Sequence, residues 1–261
     1  MIKDTVIKSY YVREEKAEPF DEVITKDLKW QCLGAACPSS CCHLYIYGRV
    51  LVHEIVPLSK HFPITFCMVD CDGEKNDIVI CILLKHARVG NYCTYLQKGV
   101  GCAMGDNRPL VCKQFPFSAV KDKSGNNRLL VRLSCPGFSE VSGHAILMPD
   151  LMPGGNISPY LKQECIDPAT RVSDSFEETK IFVETLDHYN LITDATHTHR
   201  GESIFFKLVD MKKLQELPKE TLDDFRARGY MKLIIAHADS LIDNITRHID
   251  TCLARISTQN L

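Results

Sequence analysis

Thirteen of the 261 residues are cysteine, and eleven of these lie between Cys32 and Cys135. Core packing gives no reason for small thiols to gather along a chain, so the clustering points to metal ligation or redox chemistry. The first constellation is Trp30-Gln31-Cys32-Leu33-Gly34-Ala35-Ala36-Cys37-Pro38-Ser39-Ser40-Cys41-Cys42-His43. Four thiols in eleven positions, interleaved with small residues and a proline, let a loop curl and aim several sulfurs at one centre. Neighbouring side chains of an extended strand point to opposite faces, so Cys41 and Cys42 either serve different sites or sit on a turn.

The second constellation runs through Cys93, Gly101-Cys102-Ala103-Met104, Arg108-Pro109-Leu110-Val111-Cys112-Lys113-Gln114-Phe115-Pro116-Phe117 and Cys135-Pro136-Gly137. Its spacing is too open for the paired tight knuckles of a zinc ribbon and suits an irregular four-thiolate site. Prolines near the thiols fix the loop, and glycines let backbone amides approach sulfur. Lys98, Arg108, Lys113 and Arg132 stand close in sequence and can offset thiolate charge, which lowers thiol pKa values. Arg108 and Lys113 are the candidate cofactor-binding residues. The Arg108 fork can donate to cluster sulfur, orient the carboxylate of an amino-acid-like cosubstrate, or pair with an acid such as Asp106.

The run Cys93-x-Tyr-Leu, Gly-Cys102-x-Met, Arg108-Pro109-x-x-Cys112-x-x-Phe-Pro116-Phe and Cys135-Pro-Gly resembles the YkgJ-type zinc- or iron-chelating cysteine-cluster proteins. The opening Cys32-Leu-Gly-x-x-Cys37-x-x-x-Cys41-Cys42 is similar to FliB, the flagellin lysine N-methylase related to that group. The resemblance covers about Trp30 to Phe138. It implies metal ligation by Cys32, Cys37, Cys41, Cys42, Cys93, Cys102, Cys112 and Cys135, with an iron–sulfur cluster, most simply 4Fe–4S, or zinc. Its FliB side implies S-adenosylmethionine and a protein or peptide substrate. Lys113 departs from the arginine usual after that cysteine, and FliB is longer with a different C-terminal part. Further on, Phe205-Phe206-Lys207-Leu208-Val209-Asp210, Leu214-x-x-Leu217, Arg228-Gly229-Tyr230 and Ala236-His237-Ala238-Asp239-Ser240-Leu241 resemble the end of SapC-like bacterial proteins, over about 45 residues. That implies a docking or oligomerising module, against the plainer expectation of an amphipathic helical cap.

Other candidates carry less. His43 is expected at a strand edge rather than on a metal, and His197-Thr198-His199 is expected in a polar loop. Cys67 and Cys81 fall in apolar strand runs and read as core, Cys71 lies beside them, and Cys165 and Cys252 have no sequence neighbours to ligate with. Gly99-Val100-Gly101 lacks a third glycine, and neither a Walker pattern nor a radical-SAM cysteine triplet occurs.

The elements that must hold these thiols read as short strands at 44–53, 63–69, 78–84 and 129–134. A hairpin loop is expected at 70–77 and a turn at 123–127. After Pro149 and Pro153-Gly154-Gly155 the pattern becomes helical. One helix starts at Asp174 or Ser175 and runs to about Tyr189, and one begins at Pro218 and continues toward Gly229. A long amphipathic helix from Tyr230 to about Ile256 carries Leu233, Ile234, Leu241, Ile245, Ile249 and Leu253 at three- and four-residue steps. The expected class is α+β, a loop-rich metal-binding core with short strands over 1–150 followed by a mainly helical region over 151–261.

Residues 1–150 hold 18 Lys and Arg against 16 Asp and Glu, and the rest 13 against 17, so no basic excess suits nucleic acid. No stretch approaches the length of a membrane-spanning helix, and the N-terminus has no signal-peptide pattern, so no membrane association and a cytoplasmic setting with reduced thiols are expected. Two function classes follow. One is a metalloenzyme modifying a protein or peptide, as in lysine N-methylation. The other is a non-enzymatic zinc- or iron-binding module that meets a partner.

Overall fold

The computed structural model describes residues 11–12, 21–22, 33, 42, 46–69, 77–85, 92–97, 101–121, 127–131, 135–138, 163 and 166–259. The chain forms two compact units, one of residues 1–15, 46–94 and 176–261 and one of residues 16–45 and 95–175. Its class is α+β with a helical C-terminal region, as the sequence implies.

The first unit is built on a six-stranded sheet. β4 (Ile64–Val69) and β5 (Asp77–Leu83), rich in β-branched residues, pair antiparallel from Ile64↔Ile82 to Val69↔Asp77, which is the expected hairpin. β3 (Tyr47–Arg49) pairs with β5, and β1 (Tyr11–Val12) lies parallel to β4. The strand expected over 44–53 is shorter: Val52–Glu54 make a 3-10 turn that leads into α1 (Ile55–Leu58). There the buried Glu54 carboxylate accepts the Leu51 amide at 3.0 Å, which satisfies a donor the strand would have used.

The helical expectation after residue 149 needs one correction. β10 (Ile192–His199) and β11 (Glu202–Val209) form a full-length antiparallel hairpin, and β11 joins β4 through Lys207↔Phe66. His197-Thr198-His199 is therefore strand, not loop. Its turn is Arg200-Gly201, both at positive φ (50° and 79°), the two-residue geometry that matches strand twist. Before it, α3 (Asp167–His188) starts earlier than expected. It ends with Asn190 at φ 52°, where the Leu191 amide reaches the Leu186 carbonyl at 3.0 Å and the Asn190 amide reaches Asp187 at 2.8 Å. After the hairpin come α4 (Met211–Gln215), capped by Asp210, and α5 (Lys219–Ala227), with Pro218 before its first residue.

The last helix, α6 (Tyr230–Gln259), follows the expected span closely. Its Leu241, Ile245 and Ile249 close a core with Leu83, Ile204 and Phe206 from the sheet. Burying each of these side chains stabilises the unit by about 1.5–3 kcal/mol. A second buried row on α6 is polar. His237 Nε2 accepts the Val209 amide at 3.2 Å, and Ser240 Oγ accepts the Ile64 amide at 3.0 Å. Asn244 Nδ2 donates to the carbonyls of Ser59 (2.6 Å) and Phe62 (3.3 Å), while its Oδ1 accepts from Arg247. These bonds satisfy main-chain groups at strand ends and in the turn after α1, where no ladder reaches them.

In the second unit, β8 (Phe117–Lys121) and β9 (Asn127–Val131) pair as a hairpin, and β2 (Asp21–Glu22) adds to β9. β6 (Leu96–Gln97) pairs with β7 (Gly101–Cys102). A 3-10 turn at Gly105–Asn107, α2 (Leu110–Gln114) and a 3-10 turn at Pro136–Phe138 complete its described elements.

Burial of His237 lowers its pKa from 6.5 to about 4, a shift the Ile64 carbonyl offsets only in part. The folded ring stays neutral where the unfolded ring gains a proton. The neutral ring's contribution is therefore complete above pH 6.5 and is lost as pH falls toward 4, amounting to about 3 kcal/mol. Urea melts across that window should show the loss, and His237→Gln, which keeps an acceptor for the Val209 amide, should flatten it. Asn244→Ala should cost about 1–3 kcal/mol in the same assay, because it strands buried carbonyls.

Candidate metal-binding cysteines

Cys102 closes β7 just after Gly101, whose φ of +107° is open to glycine and strained for other residues. The Cys102 thiol is half-buried, and its pKa stands above the ordinary thiol value. Burial is the main cause, and a nearby Cys42 thiol pushes the same way. Two groups pull against them: a hydrogen bond from the Met104 backbone to the sulfur, and the positive charge of Arg108. Arg108 Nε donates to the Gly105 carbonyl at 3.0 Å, so the turn ahead of α2 holds the guanidinium near this thiol. Of the three uses the sequence leaves open for Arg108, the geometry contains a charge beside a thiol, and the bond partner of its fork is a carbonyl.

Pro109 sets the entry to α2, and its carbonyl accepts from the Cys112 amide (2.9 Å) and the Lys113 amide (3.0 Å). Cys112 and Lys113 are half-buried on that short helix. Cys135 is buried just before the Pro136–Phe138 turn. Cys42 is half-buried in helical backbone. Cys32, Cys37, Cys41, His43, Cys71, Lys98, Arg132 and Cys165 lie outside the described residues. Among the described residues, no three His, Cys, Asp or Glu side chains converge closely enough to hold a metal. Cys42 and Arg108 both act electrostatically on Cys102, and Cys112 and Cys135 lie in the same unit.

In the first unit, Cys93 is buried and lies in a short segment whose next amide, that of Thr94, donates to the Leu84 carbonyl at 2.9 Å. Cys67 and Cys81 face each other diagonally on β4 and β5. Their mutual hydrogen bond, burial and charge repulsion raise the Cys67 pKa well above the ordinary value, as expected of core thiols. His197 Nε2 lies 3.1 Å from Thr246 Oγ1, and His199 Nε2 lies 2.9 Å from Asp250 Oδ1, so both rings tie β10 to α6. Two features escape a reading by local clusters. Cys252 Sγ lies 3.9 Å from His248 Nε2, both buried on α6, and Arg255 reaches the Cys93 segment. The four-residue helical step from His248 to Cys252 is the signal that was available.

These charges make Cys102 testable by itself. Cys42→Ser should remove a repulsive neighbour and move the Cys102 alkylation–pH curve to lower pH. Arg108→Ala should move it to higher pH. Peptide-resolved iodoacetamide rates measured on metal-free protein would read both shifts.

Comparison with known proteins adds the wider relationship. No curated protein and no solved structure matches the chain. The SapC family model matches residues 27–246, taking in both cysteine constellations, the β10–β11 hairpin and much of α6. The SapC resemblance read on 205–241 is thus one part of a relationship spanning most of the sequence, and the chain belongs to the SapC family.

Proposed function

We propose that this protein is a cysteine-cluster metalloprotein binding an iron–sulfur cluster, most simply 4Fe–4S, or zinc. The observation that carries the reading is the electrostatic influence of Cys42, far from it in sequence, and of Arg108 on the Cys102 thiol, whose sulfur also takes a hydrogen bond from the Met104 backbone. That donor set suits a soft, thiolate-bound metal: bound metal would remove the mutual repulsion of two thiolates, and the amide and guanidinium would steady the remaining negative charge. The YkgJ and FliB resemblance implies Cys32, Cys37, Cys41, Cys93, Cys112 and Cys135 as the remaining ligands, of which Cys112 and Cys135 lie in the same unit as Cys102. When bound, such a centre supplies either structural cross-linking or, with an open position, Lewis-acid or redox chemistry.

The FliB resemblance extends the proposal to N-methylation of lysine on a protein or peptide, with S-adenosylmethionine as methyl donor and Arg108 and Lys113 on the cofactor. The alternative is a non-enzymatic metal module that meets a partner. Binding of S-adenosylmethionine to metal-loaded protein separates the two.

Protein purified without oxygen under reducing conditions should contain iron or zinc at near-stoichiometric level. Broad absorption near 400 nm identifies the iron–sulfur form, and a colourless zinc-loaded sample identifies the other. Cys102→Ser should lower the metal content. Metal-free wild type prepared in this way would refute the proposal.

A further inference from the structure

We propose that β10 (Ile192–His199) pairs antiparallel with β10 of a second copy of this chain, independently of any metal, with Ile242 of the two α6 helices meeting over the joint. β10 ends the strand order of its sheet, and among the described residues β11 is its one ladder partner. Its hairpin closes through Arg200-Gly201, so His199↔Glu202 is the hydrogen-bonded pair next to the turn. Alternation from there puts the ladder bonds on His199, His197, Ala195 and Thr193. The amides and carbonyls of Ile192, Asp194, Thr196 and Thr198 therefore point away from β11. Sheet edges are usually blunted by brevity, proline, lysine or a bulge. This one has none of them: eight residues pair one to one with β11, and neither proline nor lysine occurs among them. The Asp194 carboxylate is already paired, at 2.5 Å from Lys207 Nζ.

Beside the edge, α6 adds an apolar flank. Thr246 and Asp250 bond to His197 and His199, so this row of the helix lies along β10. Ile242 and Ile235 continue the row one and three turns earlier, and they are 77% and 48% exposed. From Ile242 to Thr246 the helix rises about 6 Å, and from Ala195 to His197 the strand rises about 6.6 Å, which sets Ile242 level with Ala195. A two-fold axis normal to the sheet makes one residue face its own copy and keeps both helices on one side. On Asp194 the axis would oppose like charges, and on Thr196 it would leave Ile192 without a strand residue opposite. On Ala195 it brings Ile192 opposite Thr198 and Asp194 opposite Thr196, uses all four outward residues of each strand, and places the two Ile242 side chains on either side of itself. Edge and helix thus complement their own copies, and a lone peptide strand, which brings no second α6, completes only the ladder.

The test is sedimentation velocity of the full chain in reducing buffer from about 1 to about 100 μM, a range suited to a small interface. Wild type should pass from monomer to dimer across it. Thr196→Asp sets a carboxylate opposite Asp194, and Ile242→Glu sets two charges beside the axis, so each should raise the dissociation constant at least about tenfold. Thr196→Asn matches the first variant in size and strand propensity without its charge and should stay close to wild type. So should Phe176→Glu, which charges another exposed apolar residue, on α3. Wild type that stays monomeric at about 100 μM overturns the proposal. So does a dimer that Thr196→Asp and Ile242→Glu leave intact, or one that Thr196→Asn weakens as much as Thr196→Asp.

Discussion

The first unit depends on one constraint: main-chain groups that leave a sheet still need hydrogen-bond partners. Here α6 supplies them. Its apolar row closes the core, while its polar row from His237 through Ser240 and Asn244 takes up amides and carbonyls of residues 59–64 and of Val209. Arg255 performs the same service at Cys93 and Thr94. A single helix therefore sets both the packing and the course of the connecting segments. That division of labour explains buried polar residues on a helix whose apolar stripe alone would have sufficed for attachment.

In the second unit, charge balance acts at Cys102. Cys102 is pulled toward the neutral thiol by burial and by Cys42, and toward the thiolate by the Met104 backbone and Arg108. Opposing influences of this kind leave a sulfur that responds to what binds beside it. Cys67 and Cys81 are the contrast, since burial and Cys81 both act to raise the Cys67 pKa. The same element, carried on two strands of one sheet, is there reduced to packing.

Much of the fold was legible because the strongest patterns were periodic ones. The stripe from Leu233 to Leu253 gave α6, and the runs at 63–69 and 78–84 gave the β4–β5 hairpin. The β10–β11 hairpin was not read, for a physical reason: Ile192-Thr193-Asp194-Ala195-Thr196-His197-Thr198-His199 has no fully buried position and so no apolar alternation to announce it. Its clearer half, Ile204-Phe205-Phe206-Lys207-Leu208-Val209, has strand composition and follows Arg200-Gly201, a turn signal that was available. At the candidate site, cysteine type and spacing were visible in sequence. The influence of Cys42 on Cys102 was not, because tertiary structure alone lets residues sixty positions apart act on each other. Arg255 was equally hidden, since its partners are carbonyls, which carry no residue identity.

The segmented make-up of the first unit bears on the order in which the chain is synthesised. β4 and β5 emerge early, yet the strand beside β4 and the helix covering their core come from the last quarter of the sequence. Until Tyr230–Gln259 has left the ribosome, Leu83 and its neighbours wait without their helical cover. Such contacts close long loops and are slow to form, so a chain ending before Tyr230 should be prone to aggregation.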